Sequence, residues 1–179
     1  VIVKKNIFSV KLLLTVLVVS HFLTLNVFAA AKDTPFITGD VGGSTGTNNG
    51  NTYQEVHLGL NLNFTEWLTL RNNGFKRTGS NIKEVTGLDS TLRLVLRGKF
   101  DRGSANLFVG SGYRWADESE NNAVVTEAGL GAGYGGLGLS GGAKHLKYTK
   151  TRLDKSGAEL KDEDITYFIG LSGSTSFGK

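Results

Sequence analysis

Hydrophobic residues recur at every second position through most of this chain. Val56, Leu58, Leu60, Leu62 and Phe64 alternate with Glu55, His57, Gly59, Asn61 and Asn63. A period of two places successive side chains on opposite faces of an extended strand, so this segment has one apolar and one polar face. The same reading divides the chain into eight strand-like segments, at 36–47, 52–63, 67–78, 87–98, 105–115, 123–133, 136–149 and 164–177. Most have the roughly 9–11 residues that a tilted strand needs to cross a bilayer. The predicted class is all-β: an eight-stranded antiparallel up-and-down transmembrane β-barrel.

The connections differ between the two ends. Those after strands two, four and six are short: Phe64-Thr65-Glu66, residues 99–104, and Tyr134-Gly135. Those after strands three and seven, at 79–86 and 150–163, are longer and more charged; those after strands one and five, at 48–51 and 116–122, are intermediate. Short turns on one rim and longer loops on the other fit the periplasmic and extracellular ends of a membrane barrel. Counting from strand ends, Phe36, Phe64, Trp67, Phe100, Tyr134 and Phe177 form a belt at the short-turn rim. Tyr53, Phe75, Tyr113, Trp115, Tyr148 and Tyr167 form a second belt nearer the long loops, with Phe108 and Phe168 between the two. Aromatic side chains favour the two membrane–water interfaces.

Residues 1–31 have the pattern of a cleavable export signal. Lys4, Lys5 and Lys11 precede the apolar run 12–19, and Ala29-Ala30-Ala31 supplies small residues for cleavage. Ser20, His21, Thr24 and Asn26 interrupt the apolar stretch, which makes it a poor transmembrane helix of ~20 residues. Removal leaves one domain, residues 32–179, with 17 basic and 16 acidic side chains. No basic patch remains to favour nucleic acid. The sequence holds no Cys, which excludes disulfides, thiolate metal sites and cysteine nucleophiles. All 25 glycines follow residue 31, and the single proline, Pro35, precedes the first strand. Both counts suit a closed sheet, because proline breaks ladders and glycine allows tight bends.

Phase assigns the two faces. Leu92, Leu94, Leu96, Leu107, Val109, Leu130, Ile169 and Leu171 share the apolar face, which carries almost no charge. A Lys or Arg facing lipid at the midplane costs roughly 2–4 kcal/mol, so this face is assigned outward. The opposite phase holds Asp40, Glu55, His57, Arg71, Arg93, Arg97, Arg114, Glu127 and Lys144, interspersed with glycines. Inside a narrow barrel such charges require pairing. The expectation is a structural ion cluster of Glu55, Arg71, Arg93, Arg97, Arg114, Glu127 and Lys144, centred on Glu127 with Glu55 as a second acceptor. An eight-stranded interior is only wide enough for side chains, so no open pore is expected.

In strand number, loop asymmetry and faces, residues 36–177 resemble the small outer-membrane barrels of the OmpA transmembrane domain and OmpX type. In that family the last strand ends on a C-terminal aromatic read by the assembly machinery; here Gly178 and Lys179 follow Phe177. With strand eight the last element, the expectation lies nearer OmpX than full-length OmpA. The resemblance implies an outer-membrane location and a structural or surface-interaction role (envelope integrity, adhesion). It implies contact with outer-membrane lipid, lipopolysaccharide and the assembly machinery, and a surface partner would meet loops 79–86 and 150–163. The alternative is a soluble secreted barrel of the lipocalin or streptavidin kind, with the Leu/Val face turned inward around a small apolar ligand.

No enzymatic chemistry, cofactor or metal site is expected. His57 lies on the inward phase and reads as a packed core residue. His145-Leu146-Lys147 falls where outer-membrane lipid-A deacylases carry His-x-Ser, but Lys147 stands at the nucleophile position. Asp117-Glu118-Ser119-Glu120 reads as a solvated acidic loop, and no His/carboxylate spacing suggests a metal. The Gly-rich stretch 129–142 holds no phosphate-cradling motif.

Overall fold

A computed structural model describes residues 35–101 and 103–173; the export-signal region, Phe177 and the tail after residue 173 lie outside them. Eight strands follow in chain order: β1 Ile37–Asn48, β2 Asn51–Asn63, β3 Leu68–Gly79, β4 Val85–Lys99, β5 Gly103–Ala116, β6 Ala123–Tyr134, β7 Leu137–Tyr148 and β8 Glu163–Gly173. Each pairs antiparallel with the next, and β8 pairs with β1, so the sheet closes on itself and leaves no edge.

Register fixes the geometry of closure. Cross-strand partners lead from Gly39 through Leu60, Asn72, Ser90, Tyr113, Val124 and Lys147 to Glu163, whereas Gly39 itself pairs with Gly173 on the same strand. The circuit therefore returns ten residues out of step, from 173 to 163. Strand number and stagger together force the strands to tilt by about 35–45° and set a narrow bore.

The faces follow the period-two pattern. Leu58 is 71% exposed, and Val56, Leu60, Leu92, Leu94, Leu96, Leu107, Val109, Leu130, Ile165, Ile169 and Leu171 also face outward. Phe36, Phe64, Phe100 and Tyr134 ring the short-turn rim, while Trp115 and Tyr167 stand on the outer surface nearer the long loops. Three aromatics expected in that upper belt are inside instead: Tyr53, Phe75 and Tyr148 are buried. Their phase explains it, since Tyr53 alternates with the inward Glu55, Phe75 with Arg71 and Asn73, and Tyr148 with Lys144. Counting from strand ends places a residue in depth but leaves its face undetermined.

The connection after β1 is also tighter than expected. β1 and β2 run to Asn48 and Asn51 and are joined by Asn49-Gly50 alone, both at positive φ (48° and 78°). Asn-Gly is the preferred pair for such a two-residue hairpin, because glycine adopts left-handed φ without a Cβ clash. The long-loop rim thus carries one tight turn beside three longer connections.

Inward glycines let the wall curve. A Cβ on Gly112 would fall on the Ser90 carbonyl oxygen and 2.6 Å from Thr91 Cα, both backbone atoms that cannot swing aside. On the outer face, a Cβ on Gly74 meets nothing nearer than 3.6 Å. Gly112→Ala is expected to destabilise the barrel by about 1–3 kcal/mol, whereas Gly74→Ala leaves stability within about 0.5 kcal/mol. Urea titration of the folded-to-unfolded gel shift in lipid vesicles measures both.

Candidate functional site in the barrel interior

The inward faces bring together two ion networks. Nearer the short-turn end, Arg93 Nε and Nη2 donate to Glu127 Oε1 and Oε2 at 2.7 and 3.0 Å, and Thr91 Oγ1 donates to Oε1 at 2.7 Å. Arg71 lies 3.7 Å from Glu127 and donates through Nε to Asp40 at 3.0 Å. His57 sits 3.6 Å from Asp40 on the other side. Two carboxylates thus face two guanidiniums with almost no access to water.

The second network fills the half nearer the long loops. Arg114 forms a fork with Asp89 at 2.6 and 2.8 Å and donates to both oxygens of Glu55 at 2.7 and 3.1 Å. Arg77 Nε donates to the same Glu55 at 2.8 Å, Ser44 adds a further donor, and Lys144 Nζ reaches Asp89 at 2.7 Å. Asp164 continues the chain upward, accepting from Tyr53, Tyr148 and Arg152. Arg114 is 1% exposed, so the favourable term must come from these fixed partners rather than solvent.

Guanidiniums also lie over aromatic rings. Arg114 sits 3.8 Å from the Phe75 centroid, Arg77 4.1 Å from Tyr53, Arg93 4.2 Å from Phe108, and Arg152 3.2 Å from Tyr148. The ring faces attract the cations, and the planar guanidinium covers them without losing its in-plane hydrogen bonds. This is the physical reason for placing Tyr53, Phe75 and Tyr148 inside.

Of the residues expected from sequence, Glu55, Arg71, Arg93, Arg114, Glu127 and Lys144 lie in these networks. Arg97 lies outside them, half-buried and lining an open cup at the short-turn end. Lys144 is the direct cross-strand partner of Glu127, yet its ammonium reaches Asp89 on the far wall. Arg77, Asp89, Asp164 and Arg152 join the networks without figuring in the expected cluster. The first three share the inward phase with Arg71, Arg93 and Thr166, so alternation alone signals them. Arg152 belongs to a loop and carries no such signal.

That loop closes the long-loop end. Residues 149–162 fold back as a small hairpin, with Leu160 packing on Tyr53 and Ile82. Lys161 N donates to Asn48 Oδ1 at 2.8 Å, Asn49 Nδ2 to the Glu159 carbonyl at 2.7 Å, and Asn81 Nδ2 to Asp154 at 2.8 Å. The Ser156 hydroxyl and the Ala158 backbone amide bind the Asp154 carboxylate and hold its pKa below the ordinary value. Farther down the outer wall, His145 faces outward and meets Glu163 at 3.2 Å. Among the described residues, no group of three or more His, Asp or Glu side chains is arranged to hold a metal ion.

Removing one partner of a buried ion pair leaves the other uncompensated, at a cost of about 3–5 kcal/mol. Glu55→Gln, which strips the charge shared by Arg77 and Arg114, is expected to lower barrel stability by that amount. Glu55→Gln combined with Arg77→Gln is expected to recover part of it, with a positive coupling in a double-mutant cycle. Equilibrium urea unfolding in lipid vesicles checks both.

No family model matches the chain, and no curated protein matches it. Among solved structures, a de novo designed transmembrane β-barrel is similar at 13% identity and a TM-score of 0.54, covering 80% of this chain and 98% of the designed one. A major outer membrane protein from Thermus thermophilus aligns at 13% identity over 76% of this chain and 98% of its own. Its TM-score of 0.36 carries no weight. The first likeness concerns the fold alone: this chain has the architecture of an eight-stranded membrane barrel.

Proposed function

We propose that this chain is an integral outer-membrane barrel of a Gram-negative-type envelope, with a structural or surface-interaction role and no open pore. The observation that carries this reading is the inverted surface. Leucines, valines and isoleucines cover the outer wall around a closed ladder, while the charges sit inside as paired networks. An apolar girdle of this extent is unsuited to water, and lipid is the solvent that suits it. A soluble ligand-binding barrel requires the opposite facing, with its apolar side chains lining the interior.

The paired interior and folded loop 149–162 favour a closed barrel over a conducting one. Lipid and lipopolysaccharide are the partners of the outer wall, the envelope's assembly machinery is the partner in insertion, and loops 79–86 and 150–163 are the surface offered to an external partner. The role is non-enzymatic: His145 is engaged by Glu163, and Lys147 replaces the nucleophile that a deacylase would need.

Expression of the full sequence in a Gram-negative host tests the reading. The protein is expected in the outer-membrane fraction, with a mobility that changes on boiling, and without stepwise conductance in planar bilayers. Recovery as a soluble protein without detergent would overturn the membrane assignment, and steady single-channel steps would overturn the closed one.

A further inference from the structure

We infer that the cup at the short-turn end of the barrel is a binding site for a small hydroxylated anion of the sugar-acid class. The cup encloses about 430 Å³, within the ~300–1,000 Å³ of sites that surround small ligands. Its inner end is formed by Phe108 and Val95, which pack with Phe168, and by Arg93, so it opens toward the short-turn rim. The site belongs to the folded barrel itself and does not depend on which membrane holds it.

Three features set the ligand's chemistry. First, the charge is lopsided: Arg93, Arg97 and Lys99 line the cup against one carboxylate, Asp40, which Arg71 already engages through two hydrogen bonds. Arg93 is paired with Glu127 at the inner end and Lys99 with Glu66 at the rim; Arg97 is placed between these two levels. Second, the walls are hydroxyls and amides. Asn106 is the cross-strand partner of Arg97, and Thr38 that of Asn61. Third, one polar atom is left waiting. Asn61 is 7% exposed, its Nδ2 donates to Thr38 Oγ1 at 3.3 Å, and its Oδ1 receives no donor.

A buried carbonyl oxygen without a donor is costly, and it discriminates in favour of a ligand that brings one. A ligand hydroxyl supplies that donor to Asn61, while the guanidinium of Arg97 supplies a planar fork for a carboxylate. Charge without hydroxyls, or hydroxyls without charge, satisfies only half of the cup.

The test is titration of the full barrel, folded in detergent micelles and checked by its heat-dependent gel mobility, with D-glucuronate, D-glucose and acetate. Asparagine side-chain amide resonances and calorimetry provide the readouts. Glucuronate is expected to bind saturably and to shift the Asn61 and Asn106 amides, with glucose and acetate each weaker. Arg97→Gln is expected to weaken glucuronate about tenfold and Asn61→Ala several-fold. Should Arg97→Gln fail to fold, Asn61→Ala and a salt titration of the unaltered protein separate the hydroxyl and charge contributions. Absence of saturable binding, equal binding of glucose, or glucuronate binding insensitive to both Asn61→Ala and salt would overturn the inference and leave the cup as a solvent pocket.

Discussion

In a medium without water, a peptide group that lacks a partner within the protein is left unsatisfied, and this constraint governs the rest of the molecule. Eight strands answer it by closing β8 onto β1, so that every strand has two neighbours and the sheet has no edge. Closure with a stagger of ten residues then determines the bore. A bore that narrow accepts side chains only if some positions carry none, which is why inward glycines such as Gly112 lie against neighbouring backbone.

The same closure turns the sequence's charges inward, where they are stable only as a set. Glu55 shows the consequence. It accepts from Arg77, Arg114 and Ser44, three groups on three other strands, so one carboxylate ties together much of the circumference. Aromatic rings occupy the remaining space and receive the guanidinium faces. The interior is therefore a cross-brace rather than a channel lining, and loop 149–162 extends it above the rim through Arg152 and Leu160. Only the short-turn end is left open.

Much of this is legible from alternation. All eight strands, the outward face and most members of the ion networks follow from a period of two, because each inward position is decided locally by the pleat. Tyr53, Phe75 and Tyr148 are misplaced when position along the strand is weighed above phase. Pairing is less legible than position. Lys144 lies directly beside Glu127 in the ladder but binds Asp89, because curvature carries inward side chains across the bore to strands that are not neighbours. Arg152 and the loop hairpin are beyond reach for a related reason: their contacts with Asn48, Asn81 and Asp164 join segments distant in the chain.

The central claim is that the Leu/Val face meets lipid and the charged face meets only the barrel's own side chains. The absence of native cysteine makes single-cysteine labelling clean. In vesicles, a fluorophore on Leu94→Cys or Ile169→Cys is expected to be quenched by nitroxides on the lipid acyl chains, and the unlabelled thiols are expected to resist aqueous maleimide. A fluorophore on a cysteine in the loop hairpin, at Ser156→Cys, is expected to show neither lipid quenching nor protection of its thiol. Rapid aqueous labelling at Leu94→Cys and Ile169→Cys, without quenching from the acyl chains, would contradict the account at its root.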